Sequence, residues 1–346
     1  MKKFSINLIR FVIVPLPIVI IWLFVYFSLD PFKVIWHYER FVENNAKGYI
    51  ALDQDYVSTK TFDNNYKKYL YNSFIFGNSR SIFYQISDWK SHIGQKNSGF
   101  HFDASGEALY ALHKKILYID SKKVNIDNVL LVLDNDLLTK VQPNKGPLFE
   151  ISPQLENNDN FLSFHFTFFR AFTSPSFFIP VIYFKLTNNV PPFMKSALDY
   201  RQRSYDPITN ELQFEIFEKM IDDGKYYTKE RINVFYERDT IQKYSQPSIL
   251  FLQKIMLNDI NDIFLKHHTN YKIIISPLYD EVKLNQNDLQ YLKRLFGEKN
   301  VFDYSGINNY TRDYTNYYES SHYRPYVSRK ILDEIYHECP LNKYDH

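Results

Sequence analysis

Glycine is scarce in this chain: there are nine in 346 residues. A glycine beside a candidate catalytic residue is therefore informative, because a left-handed turn or a close backbone approach is its usual reason for being there. Cysteine is nearly absent. The single Cys339 excludes an intrachain disulfide and a Cys-cluster zinc site, and leaves the redox compartment open. An excess of one charge is missing as well: Lys+Arg 41 against Asp+Glu 39 leaves +2, too little for the basic surface that nucleic acid requires. The chain has no GxxxxGK[ST], GxGxxG, HExxH or EF-hand loop, so neither a cofactor nor a metal is expected. It also lacks internal repeats and low-complexity tracts.

What is present is a foldable composition, 45% hydrophobic and 23% charged, with an unusual 18% of aromatics. The length allows one large domain or two modest ones. Phe11 to Leu29 carries no charge, and at about 1.5 Å per residue it nearly matches a hydrocarbon core of roughly 30 Å. Trp22 and Tyr26 suit a membrane interface. Lys2, Lys3 and Arg10 precede the run and Asp30 follows it, so the positive-inside rule places residues 1–10 in the cytoplasm and the main domain in the periplasm or outside the cell. A cleaved signal peptide shares the basic start, but its apolar part is shorter and no small-x-small site follows here. The expected organisation is a cytoplasmic tip and transmembrane anchor over 1–30, a stalk or lead-in over 31–70, and an α/β domain over 71–340 interrupted at about 140–245.

From residue 72 the elements alternate. Asn72–Phe76 reads as a buried strand, Gly106–Tyr118 as a helix, and Asn128–Leu133 as a strand. Pro247–Leu265 is a helix, Lys272–Ser276 a strand, Asp288–Phe296 a helix, Val301–Asp303 a strand and Pro325–Tyr336 a last helix. Such alternation implies a mostly parallel sheet covered by helices. The aromatic stretch 161–184 is divided by Arg170, Pro175 and Pro180, which disfavours a second span. It can pack on the core, line a groove or rest on a membrane surface, and the sequence leaves all three open.

Polar residues cluster at the predicted strand ends. Gly77-Asn78-Ser79-Arg80-Ser81 follows the first strand and presents Ser79 where open α/β sheets place ligands, facing the positive end of the next helix. Gly106 opens a helix and can offer an unobstructed N–H. Asn135, in Leu133-Asp134-Asn135-Asp136, can offer an amide. Glu319 and His322 stand three residues apart before the last helix. In chain order these are a nucleophile, two oxyanion donors, an acid and a base. Each also has a purely structural reading: cap for Ser79, helix entry for Gly106, turn for Asn135, surface or cap for His322. Arg80 can bind an anionic group or form an ordinary salt bridge.

The set resembles the SGNH (GDSL-type) hydrolase superfamily over about residues 72–139 and 270–337. Gly77–Ser81 matches its first block, the Gly106 region its second, Leu133–Asp136 its third and Glu319–His322 its last. In particular it is similar to membrane-anchored SGNH-like proteins of bacterial cell envelopes, some of which O-acetylate exopolysaccharides. Asn78 stands where the family has Asp, Leu133 where it has Gly, and Glu319 where it has Asp. The resemblance implies a flavodoxin-like three-layer fold and Ser79 as nucleophile. It further implies His322 as base, Glu319 as orienting acid, and an oxyanion hole from the Ser79 and Gly106 N–H groups and the Asn135 amide. The expected function is an O-acetyltransferase or acetylesterase acting on an envelope or exported polysaccharide; the alternative is a non-catalytic glycan-binding or assembly component. The expected partners are that glycan, the membrane through residues 11–29, and a membrane acyl-donor protein.

Overall fold

The computed structural model describes residues 11, 13, 16–41, 50–189 and 204–337. Five strands form one parallel sheet: β1 Ser73–Gly77, β2 Gly99–Asp103, β3 Asn128–Leu133, β4 Asn270–Ile275 and β5 Val301–Asp303. Their order across the sheet is β2-β1-β3-β4-β5. This is the strand order of flavodoxin-like doubly wound sheets, whose direction of winding reverses between β1 and β3 and leaves a crevice at their carboxyl ends.

The strand sequences explain this arrangement. β1 and β3 are buried at every position, as parallel strands covered on both faces must be. Their alternate residues divide between two cores. Phe74, Phe76, Leu131 and Ile273 face the helices Gln54–Tyr69, Leu109–Ser121, Phe251–Lys266 and Gln286–Phe296. Ile75, Leu130, Val132 and Ile274 face Ile86–Ile93 and Pro325–His337, where Trp89 and Ile331 are fully buried. The result is a three-layer α/β sandwich.

At three points the structure goes beyond these expectations or leaves them unsupported. Residues 54–69, expected within a stalk or lead-in, form a helix on the sheet. Asp53 caps it by accepting the Asp55 and Tyr56 N–H groups, and Phe62 is wholly buried. Its inner face also contains Ser58 and Thr59, so the apolar period is broken in the sequence although the face is buried. The strand Gly99–Asp103 was not anticipated, because His101 and Asp103 interrupt its apolar pattern; they face each other at 3.2 Å inside the fold. Third, among the described residues no helix is long and apolar enough to cross a membrane. The described part of the helix within the uncharged run covers Leu16–Leu29, with Phe11 and Ile13 helical ahead of it, and it stops where the Asp30 carboxylate accepts the N–H groups of Val34, Ile35 and Trp36. Residues 1–10, 12, 14 and 15, on which part of the anchor expectation falls, lie outside the described ones.

The interruption at 140–245 has two parts with different destinations. Helices Phe161–Phe172 and Pro175–Thr187 pack on the N-terminal helix in a core of their own, in which Tyr26 and Phe32 meet Phe164, Phe168 and Phe172. The segment from Ser204 to Val234 instead covers the carboxyl end of the sheet.

Candidate active site

The turn after β1 is built around Gly77. Its φ of +154° and its closeness to β3 both demand glycine: a Cβ there would lie 2.6 Å from the Val132 carbonyl oxygen. Asn78 then ties the turn together. Its Oδ1 accepts the Arg80 N–H at 3.0 Å, its carbonyl accepts the Ser81 N–H at 2.9 Å, and its Nδ2 donates to Asp134 at 2.6 Å. Ser79 is left at the apex with its hydroxyl facing a cleft. The expected helix does not follow at once. A single 3-10 turn, Ser81–Phe83, intervenes and the helix begins at Ile86, so Ser79 is not at a helix N-terminus.

The partner arrives from the far end of the chain. Tyr317–Glu319 and His322–Tyr323 form a small antiparallel hairpin in which Glu319 stands directly opposite His322. Tyr317 and Tyr323 are buried in the core, which fixes the hairpin against the sheet, and the His322 ring lies 5.6 Å from that of Phe83. His322 Nε2 is thereby placed 2.9 Å from Ser79 Oγ, while Nδ1 contacts Glu319 Oε1. The other Glu319 oxygen accepts the Ser321 N–H at 2.8 Å. Burial raises the Glu319 carboxyl, but the hydrogen bond and charge of His322, the Ser321 N–H and the Arg80 charge outweigh it and hold the group below its usual range. The extra methylene of Glu relative to Asp is accommodated because the two residues face each other across the hairpin.

Gly106 lines the same cleft with φ +59°, and its carbonyl accepts Asn144 Nδ2 at 2.9 Å. Among the described residues, the Ser79 and Gly106 N–H groups have no acceptor within the chain. Asn135 opens the short helix Asn135–Thr139 that Asp134 caps; its Oδ1 is buried and its side chain makes no hydrogen bond among the described residues. Ser79, Gly106, Glu319 and His322 line one cleft; Asn135 is not among its lining residues, but follows Asp134, whose carboxylate accepts Asn78 Nδ2 of the Ser79 turn.

Arg80 is engaged in ion pairs, one of its two expected roles. Its Nη1 donates to Asp134 at 2.8 Å, both Nη atoms reach Asp136 at 3.2 Å, and Nε reaches the Ser321 carbonyl at 3.4 Å. With both neighbouring carboxylates engaged, the guanidinium is a strut that joins the β1 turn, the β3 turn and the His322 hairpin. Burial disfavours its charge, and the two carboxylates more than restore it.

Sequence reasoning missed two further parts. The cleft, about 630 Å³, is walled by Phe83 and by Phe149, Tyr205, Phe214, Phe217 and Tyr226 of the interruption. Their one signal was the local density of aromatics. Behind the 103–107 loop, Lys115 is fully buried, with Nζ 3.1 Å from the Asp103 carbonyl, 3.2 Å from Asp55 and in contact with the Glu107 carboxylate. It ties both ends of the loop that carries Gly106. Nothing local distinguishes such a lysine from a solvated one on a helix. Among the described residues no cluster of His, Cys, Asp and Glu could hold a metal ion.

Chemically, a serine hydroxyl bonded to an imidazole that is itself oriented by a carboxylate can act as a nucleophile. Compared with known proteins, the chain matches no family model and no curated protein.

Proposed function

We propose that the chain is an SGNH-type serine acyl-transfer enzyme, an O-acetyltransferase or acetylesterase. It is anchored at the membrane through its N-terminal segment, has its main domain outside the cytoplasm, and acts on a cell-envelope or exported polysaccharide. The observation that carries this reading is the 2.9 Å contact of Ser79 Oγ with His322 Nε2, backed by Glu319, in an open cleft at the winding reversal of the sheet. His322 takes the hydroxyl proton as Ser79 Oγ bonds to the ester carbonyl carbon. The carbonyl oxygen becomes an oxyanion that the free Ser79 and Gly106 N–H groups can receive, and collapse expels the alcohol, which takes the proton from His322. The acyl-serine then passes its acyl group to a glycan hydroxyl or to water by the same steps reversed. Ring-lined walls suit sugar faces, and a membrane acyl-donor protein is the proposed source of the group in the transferase case.

The test is a serine-directed fluorophosphonate probe on the purified full chain, with acetyl-ester turnover measured in parallel. Labelling at Ser79 that disappears in Ser79→Ala supports the reading. A wild-type protein that neither labels nor turns over an ester, yet binds glycan, supports the alternative of a glycan-binding or assembly component on the same scaffold.

A further inference from the structure

The helices Leu16–Leu29, Phe161–Phe172 and Pro175–Thr187 satisfy one another on their inner sides, with Trp22 4.1 Å from the Phe178 ring and 5.7 Å from that of Phe172. Their outer sides are not satisfied. Phe24 is 71% exposed, Leu162 82%, Phe166 63% and Leu186 80%. Scattered exposed apolar residues are ordinary, but large ones shared by three packed helices mark an interaction surface. Pro175–Thr187 carries a single charge, Lys185, and is apolar nearly all round, as suits a helix surrounded by nonpolar material.

Two observations say what covers this surface. It is continuous with the uncharged run 11–29, preceded in the sequence by Lys2, Lys3 and Arg10, so whatever receives that run meets the other two helices with it. Beside it lies a groove of about 560 Å³ walled by Leu23, Phe27, Phe161 and Phe166, with Lys60 in its lining. Among the described residues the Lys60 ammonium has no carboxylate at ion-pair distance; its Nζ lies 5.6 Å from the Tyr56 ring centre. Burial, opposed by the charge of Asp63, holds it below its usual value. An apolar wall with an unpaired ammonium complements an acyl chain with an anionic headgroup.

We propose that these three helices form one platform embedded in the phospholipid leaflet nearest the domain, with Lys60 at the headgroup level. The proposal rests on the membrane reading of the N-terminal segment and adds a second, insertion-borne contact to it. It also locates the cleft. Gln54 and Phe149 line the catalytic cleft, whereas Tyr56 and Pro153 line the groove, and the two segments are joined by bonds from the Glu150 N–H to Asp53 and from the Ser152 N–H to Asp55, both 2.8 Å. The site therefore stands beside the platform, and its substrate is met at the bilayer surface.

The test uses the full chain with Cys339→Ser in phosphatidylcholine vesicles containing phosphatidylglycerol. Nitroxide labels are placed singly at Phe24→Cys, Leu162→Cys, Leu186→Cys and, as an aqueous reference, Ile241→Cys, which is 73% exposed. All four side chains are exposed, so labelling leaves the packing in place. Collision with oxygen should exceed collision with a nickel chelate at 24, 162 and 186, with the order reversed at 241. If 24 is in lipid while 162 and 186 behave like 241, the platform is overturned and the N-terminal anchor stands. If 24 is aqueous too, the anchor and the platform fall together, and the acyl-transfer site is judged separately by its own labelling test.

Discussion

Two polar clusters lie on either side of the same loop and serve opposite ends. Ser79, His322 and Glu319 form an open line: the His322 and Glu319 side chains keep 31% and 39% of their exposure, and the hydroxyl faces the cleft. Lys115, Glu107 and Asp55 form a sealed one, with 0%, 1% and 5%. Exposed polar groups can exchange their partner for a substrate or for water, so removing one changes reactivity and little else. Sealed charges cannot, so removing one leaves the others desolvated and unpaired. The difference separates residues that react from residues that hold the reacting geometry.

That contrast is most strongly tested at Ser79. Ser79→Ala should abolish probe labelling and ester turnover while leaving the thermal unfolding midpoint unchanged; an equal loss of stability would erase the distinction. His322→Ala should lower turnover by several orders of magnitude, the scale on which a catalytic base acts. The sealed cluster should show the reverse balance. Lys115→Met should cost about 3–5 kcal/mol of stability, the range for breaking a buried pair, as measured by urea unfolding. Adding Glu107→Gln, which removes one stranded charge, should recover part of it. If Lys115→Met lowers turnover without affecting unfolding, the lysine belongs with the reacting groups.

Glu319→Gln should reduce turnover by roughly 10²–10³-fold, less than the ~10⁴-fold of a fully buried orienting carboxylate, because water reaches this one. Glu319→Asp should retain more. The smallest effect concerns acid. A carboxyl held below its usual value contributes stability that is present above its unfolded value and lost as pH falls through the folded one. Wild-type stability should therefore fall on acidification below the ordinary carboxylate range, and Glu319→Gln should reduce that slope in an unfolding series against pH. An unchanged slope would detach Glu319 from His322.

Much of the frame was legible because its cause is local. Asn128–Leu133 is apolar throughout, and a strand buried on both faces has to be. Pro325 opens the last helix, as a fixed φ permits at a first helical position. The helix Gln54–Tyr69 was hidden because Ser58 and Thr59 are buried on its inner face, against which apolar periodicity gives no signal. Arg80 was ambiguous for a related reason. An arginine after a serine is a ligand contact or a strut according to what lies near it, and Asp134 and Asp136 belong to another strand's end.

The sequence by itself determined the parts. The alternation of strands and helices, the glycine turn that raises Ser79 and the uncharged N-terminal run all follow from neighbours a few residues apart. The tertiary structure alone decided the meetings: Ser79 with His322 across 243 positions, Lys115 under the loop of Gly106, and one half of the aromatic interruption over the cleft with the other against the first helix. Periodicity and turn chemistry act within a few bonds, whereas such contacts arise when a whole sheet closes and sets the ends of distant segments side by side.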